Sequence, residues 1–377
     1  MTNAALADEL VRFLPVEAAG RLSSRLTEND VATLRDIVKA ATPENTIRAI
    51  ASDLAYLEAW SKAVRGEALS WPPTDEDGLR FIAHHLFVIP QDSQGEARGM
   101  PRAAEHCLRA GGILRGALPH APATVRRRIS SWKRVAQVRG HQDALSSPAI
   151  RQTLAAATKA SAKPKDRKAK TPIVRSLLDQ IVGEDGDLPN GKLSLRELRD
   201  RTILLVAFGT GGRRRSEMGQ LLIENVSKLS SNEGYGIHLG RTKTTKAQDG
   251  QKLIVRGRAA GYLKTWMAAL GEKLSEQGLK QRGALFRRID RNGFVSTRGL
   301  TGAAVNAILK RKAKSAGLDP KEISAHGLRS GYLTQARKSR VPLEDAMHHS
   351  RHRSVQSAVR YYDDWEAEEG EAAKLAG

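Results

Sequence analysis

The chain has 377 residues, enough for two cores, since a single core tends to stop growing at about 250 residues. Its 62 Lys plus Arg against 41 Asp plus Glu leave a net charge of +21, and a polyanion, nucleic acid first, is the partner such an excess implies. No run approaches the roughly 20 apolar residues of a spanning helix, and the opening MTNAALADELVRFL lacks the basic-then-apolar order of a signal peptide, so a soluble, cytoplasmic protein is expected.

Residues 1–44 are weakly patterned and expected as a helical N-terminal arm. From residue 45 a helical, nucleic-acid-binding domain is expected to run to residue 158. Ile47, Ile50, Leu54 and Leu57 recur at helical spacing, as do Leu79, Ile82 and Leu86, so each stretch buries one face. The lone cysteine, Cys107, rules out an intrachain disulfide or a cysteine-based zinc set and is expected as a small buried residue. In ATVRRRISSWKRVAQVRG, Val125, Ile129, Trp132 and Ala136 share one face, while Arg126, Arg127, Ser130, Lys133, Arg134 and Gln137 share the other. That polar face suits a helix laid against phosphates. The Lys/Pro/Ala-rich run KASAKPKDRKAKTP, residues 159–172, has too little apolar character for a core and reads as a basic linker.

Residues 173–377 read as a second domain of mixed character. An apolar helix in RDRTILLVAF is broken at Gly209–Gly212 and followed by a helix with Met218, Leu221 and Leu222 facing inward. Short β-like runs at Ile237–Leu239 and Leu253–Val255, with an Asp249-Gly250 turn signal between, predict a hairpin. Further helices follow in TGAAVNAILKRKAKSAG and SAHGLRSGYLTQARKS.

Four small constellations in this block bear on chemistry. Arg214 and Glu217 stand three apart, so a carboxylate can hold a guanidinium in place, and a fixed guanidinium grips a phosphate with two parallel bonds. Lys243 lies beside the hairpin in GRTKT, next to Arg241, where an ammonium can protonate a leaving oxygen. His326 and Arg329 again share a face, joining a proton-handling ring to a second phosphate clamp. His352 stands nine residues ahead of Tyr361. A metal at HHSRH is the competing use of that segment, but its adjacent histidines cannot both face one ion and no carboxylate or cysteine is suitably placed; His348 and His349 read as a polar helix end near DNA.

The order Arg, Lys on a hairpin, His-x-x-Arg, then His and Tyr resembles the tyrosine recombinase (phage integrase) family. The GRTKT hairpin and the interval from His326 to Tyr361 are most similar to Cre-like site-specific recombinases. The resemblance implies a mainly helical α+β catalytic domain with a small sheet, joined to a helical core-binding domain as a C-shaped clamp on DNA. It also implies a homotetramer acting on two duplexes, as in DNA integration by mobile elements, with no metal or other cofactor and with accessory DNA-bending proteins an open matter. Tyr361 would attack the phosphodiester, leaving a 3′-phosphotyrosyl link. Arg214 and Arg329 would stabilise the non-bridging oxygens, Glu217 would orient Arg214, His326 would take the tyrosine proton with His352 adding a hydrogen bond, and Lys243 would protonate the 5′-oxygen. Local geometry agrees on the nucleophile: Val355, Ala358, Val359 and Tyr362 form one stripe, which would put Tyr362 in the core and leave Tyr361 available. An arginine, Arg213, stands where an apolar residue usually precedes the catalytic one, and it and Arg215 are expected as phosphate or solvent contacts. A type IB topoisomerase or telomere resolvase would use the same residues, and a DNA-binding protein without catalysis is the alternative of another class.

Overall fold

A computed structural model describes residues 44–86, 99–160, 171–183, 193–231, 233–239, 252–352, 354–356 and 358–359. The chain divides into two compact units, Met1–Pro164 and Lys165–Gly377.

The first unit is helical. Helices α1 (Glu44–Arg65), α2 (Asp75–Leu86), α3 (Arg102–Ala110), α4 (Pro122–Val138) and α5 (Pro148–Ala160) enclose one core. Trp60 sits at its centre, edge-on to Phe81 at 5.0 Å and to Trp132 at 6.5 Å between ring centroids, with Leu57, Ile82, Val125, Ile129 and Ile150 around them. The predicted apolar face of α4 is the buried one: Val125, Ile129, Trp132 and Ala136 are all inside. Arg126, Arg127, Ser130 and Arg134 are exposed on the opposite side, with Lys133 half-buried. Cys107 corrects its expectation. It is exposed, because Ala104 and Leu108 take the inward positions of α3.

Polar groups also lie in this core, which the apolar periodicity did not announce. Asp53, 1% exposed, accepts from Ser131 at 2.8 Å and from Arg127 at 2.7 Å. His85 Nδ1 lies 2.7 Å from the Phe81 carbonyl, which can only accept, so Nδ1 carries the proton and Nε2 receives the Tyr56 hydroxyl at 2.8 Å. Burial pushes the His85 value down to about 3, which keeps the ring neutral as this geometry requires.

The second unit is α+β. Helices α6 (Arg175–Val182), α7 (Leu195–Gly209) and the short α8 (Arg215–Met218) precede strands β1 (Val226–Lys228), β2 (Gly234–His238) and β3 (Lys252–Arg256). These form an antiparallel sheet in the order β1-β2-β3, with Val226 opposite Ile237 and Tyr235 opposite Val255. Then come α9 (Gly257–Glu276), the pair β4 (Arg287–Ile289) and β5 (Val295–Gly299), and α10 (Gly302–Ser315), α11 (Ala325–Lys338) and α12 (Leu343–Ser350). The predicted hairpin is β2–β3. Its tip, with Arg241, Lys243 and the Asp249-Gly250 signal, lies outside the described residues.

Helix α7 is the axis of this unit. Ser194 caps it by accepting from the Glu197 amide at 3.2 Å. Ile203, Leu204, Leu205, Val206 and Ala207 are buried without a polar face, as in a helix surrounded by protein. Its first half buries charge instead: Arg199 and Arg311 converge on Asp200, and Arg201 and Lys312 on Glu197. Among the described residues no helix is long and apolar enough to cross a membrane.

Helix α11 is seated by glycine. The Ile173 amide donates to Gly327 O at 2.9 Å, and a Cβ on Gly331 would fall 2.0 Å from Ile173 O. Alanine in a helix interior ordinarily stabilises by ~1 kcal/mol over glycine. Gly331→Ala should do the reverse, lowering stability by ~2 kcal/mol through overpacking against the Ile173 backbone. Urea unfolding checks the sign; a stabilised variant would mean that α11 is not held against residue 173.

Candidate active site

Four residues expected to act together lie on three segments far apart in the chain. Arg214 precedes α8, Arg329 lies in α11, and His352 follows α12. Glu217, in α8, lies 3.5 Å from the Arg214 guanidinium, the ion pair their spacing predicted. Arg214 is 47% exposed in its side chain, so its guanidinium faces solvent with the carboxylate behind it.

The meeting point of the segments is the break after α7. Gly211 and Gly212 take φ of +92° and +69°, a region that costs other residues dearly. Closeness demands glycine as well. A Cβ on Gly211 would lie 2.5 Å from Ser350 Cα, and one on Gly212 would lie 2.3 Å from Arg329 Cα. The loop backbone is thus pressed between α11 and the end of α12.

Two buried guanidiniums fasten that end. Arg329, 9% exposed, donates through Nη1 to Ser350 O at 2.8 Å and through Nη2 to Arg351 O at 3.3 Å. Arg213, 3% exposed, donates through Nε to Thr210 O and through Nη2 to His349 O, each at 3.0 Å. This corrects the expectation for Arg213 as a phosphate or solvent contact. The turn that leads to Arg214 sends the preceding side chain inward, where it donates to the Thr210 and His349 carbonyls. Arg215 does remain exposed.

His349 is also a correction. Instead of ending a polar helix face, its ring is half-buried, stacked 5.5 Å from Tyr332, and donates through Nε2 to Gly209 O at 2.9 Å. His348 is exposed. Arg351 adopts φ +55°, a left-handed conformation that ends α12 and turns the chain toward His352. Its Nη2 donates to Lys252 O at 3.3 Å, so the root of β3 touches the same turn.

His352 Nδ1 lies 2.7 Å from Ser350 Oγ, and the His352 amide donates to Met347 O at 3.1 Å. Burial first, then the charges of Arg329, Arg213 and Arg214, push its value down to about 3, so the ring is neutral at physiological pH. His326 lies exposed in the first turn of α11, ahead of Arg329.

Tyr361, Tyr362, Lys243 and Arg241 lie outside the described residues. The stripe expected to hold Tyr362 is uneven where it is described: Ala358 is fully buried, but Val355 is 58% exposed. Ser350 and Arg351 are the neighbours that sequence reasoning left out of the site, and Arg213 and His349 are those to which it gave another role. The Gly211-Gly212 pair was the available signal, since paired glycines mark a close backbone approach.

Comparison with known proteins bears on this arrangement. Residues 188–368 match the model of the phage integrase family. An integrase/recombinase XerD homolog from Selenomonas ruminantium is 25% identical over 218 residues, 52% of this chain and 61% of that relative's length. Among solved structures, the Tn1549 transposon integrase in complex with transposon right end DNA covers 100% of both chains at 15% identity and TM-score 0.49. A lambda integrase dimer bound to a COC' core site covers 90% of this chain and 96% of its own at 14% identity and TM-score 0.46.

The neutral state of His352 has a measurable consequence. A histidine in the unfolded chain titrates near ~6.5, so as pH falls the unfolded state takes up the proton first. The contribution of neutral His352 is intact above about 6.5 and is lost as pH falls toward about 3. Urea midpoints of the full chain should therefore drop between pH ~6.5 and ~5, above the carboxylate range. The drop should be shallower in His352→Asn, which keeps a polar group near the Nδ1 position and cannot titrate. Parent and variant falling with equal slope would show that His352 is not held neutral.

Proposed function

We propose that the chain, whose residues 188–368 match the model of the phage integrase family, is a site-specific DNA recombinase of the tyrosine recombinase kind, working through a covalent 3′-phosphotyrosyl intermediate. The observation that carries the proposal is the convergence of the Arg214 turn, Arg329 and the His352 turn on the loop Gly209–Gly212 through the bonds of Arg329 and Arg213. Residues 117 and 136 positions apart are brought into hydrogen-bond contact there.

In the proposed reaction Tyr361 attacks the phosphorus and gives its proton to His326. A phenol with an ordinary value of about 10 needs that help at neutral pH. Arg214, backed by Glu217, and Arg329 stabilise the charge building on the non-bridging oxygens. Neutral His352 adds a hydrogen bond: when the Ser350 hydroxyl donates to Nδ1, Nε2 carries the proton and offers it to the phosphate. Lys243 protonates the departing 5′-oxygen. The phosphotyrosyl link keeps the bond energy, so a 5′-hydroxyl from a second duplex can reverse the step without ATP. Strand exchange then calls for four copies on two duplexes. Recognition of DNA would fall to the exposed face of α4, with Arg126, Arg127, Lys133 and Arg134, and to Arg215 and Arg241 in the second unit.

Binding dominated by these cations should weaken steeply with salt. Neutralising roughly six to ten phosphates costs ~10³-fold or more in affinity between about 50 and 200 mM salt. Fluorescence anisotropy on a labelled duplex across that range provides the slope, and a flat dependence would remove this electrostatic account of binding.

Tyr361→Phe should bind DNA as the parent does and form no covalent adduct on a nicked substrate carrying the target site, whereas Tyr362→Phe should retain the adduct, its stability changed by no more than ~1 kcal/mol. Adduct is read by denaturing gel and its attachment point by mass spectrometry. Attachment at Tyr362 would reverse the assignment of the two rings. Absence of adduct in the parent would favour a binding protein without catalysis, and adduct without recombinant product would favour a topoisomerase or resolvase.

A further inference from the structure

The site holds one buried charge that the proposed chemistry does not employ against a phosphate. Arg213 is almost fully enclosed. Burying a guanidinium is costly, and an apolar side chain of similar volume is often as stable or better in such a place. Its nearest carboxylate, Glu217, stands 3.8 Å away and is shared with Arg214. Charge pairing by itself therefore gives no account of an arginine here.

What distinguishes the side chain is the number of segments it touches. Nε donates to Thr210 O in the loop, Nη2 donates to His349 O in the last turn of α12, and Nη1 points to Glu217 in α8. A planar fork can span such separate acceptors, and a single ammonium cannot. We infer that Arg213 is a positioning residue for the reaction proposed above: it locks the turn bearing Arg214 to the turn bearing His352, so that phosphate clamp and ring are held as one piece. Burial lowers its own value to about 10, which still leaves it charged at neutral pH, and its charge is among those that keep His352 neutral.

The test is amide hydrogen exchange on the full chain, read in peptides covering residues 208–214 and 347–352, for the parent, Arg213→Leu and Arg213→Lys. Arg213→Leu should raise exchange in both segments together by at least ~10-fold, since two charge-assisted bonds are lost. Arg213→Lys keeps the charge without the fork and should also loosen residues 347–352, which preserves a result should the leucine variant not fold. The His352 ring titration, followed by NMR, should rise from about 3 in Arg213→Leu and stay low in Arg213→Lys. Unchanged exchange at 347–352 in both variants, or loosening of 208–214 alone, overturns the inference. The inference rests on the recombinase reading, and adduct formation separates the two. A parent without adduct removes that reading and leaves the exchange result standing; an active parent with Arg213→Leu forming adduct at an equal rate removes the positioning role.

Discussion

The second unit depends on how the last carbonyls of one short helix are satisfied. A helix ends with carbonyls that have no partner of their own, and in α12 the acceptors at His349, Ser350 and Arg351 receive arginine donors arriving from the α7–α8 loop and from α11. Cations at a helix C-terminus also complement its dipole. The donors can reach them only because Gly211 and Gly212 let the loop backbone pass against Ser350 and Arg329 without side chains between. Three sequence-distant segments are joined in this way, and every other feature of the site hangs from that joint.

Clustering positive charge has a cost, and the surroundings offset it. Glu217 lies within 4 Å of both Arg213 and Arg214, and backbone carbonyls supply the remaining negative potential. The residual positive field bears on His352, which answers by staying neutral. A neutral ring can act as a hydrogen-bond donor without adding to the repulsion among the guanidiniums. Below the joint, α7 acts as a rigid post: its charged half is tied to α10 through Arg311 and Lys312, and its apolar half is packed all round.

The helical unit solves a related problem at its basic face. Arg127 is half exposed on α4, yet its guanidinium is tethered to Asp53 within the core, and Arg126 is held by Thr158 of α5. Long cationic side chains lose conformational entropy when they are ordered against a partner. Tethering some of them in advance reduces what the proposed DNA contact would have to order.

Local spacing was sufficient for much of this. Apolar residues at helical intervals identified the buried face of α4, whereas of the stripes expected in α1 and α2 only Leu57 and Ile82 are fully buried and the inward faces centre on Tyr56 and Trp60 and on Phe81 and His85; two short β-like runs identified the β2–β3 hairpin, and the three-residue interval gave the Arg214–Glu217 pair, because these follow from neighbours along one element. Cys107, Arg213 and His349 went the other way. Whether a cysteine on an amphipathic helix faces in or out, whether the first of three consecutive arginines points to solvent, and whether a histidine stacks inside all depend on what another segment places beside them. The burial of Asp53 and Asp200 was hidden for the same reason, since Ser131 and Arg127 for the one and Arg311 for the other come from elsewhere in the fold. The sequence by itself determined the element types, the two blocks and the chemical kinds of side chain available; only the tertiary structure decided which charges are spent inside the protein and which remain to face a ligand, because hydrogen-bond partners far apart in the chain become neighbours only when the backbone closes on itself.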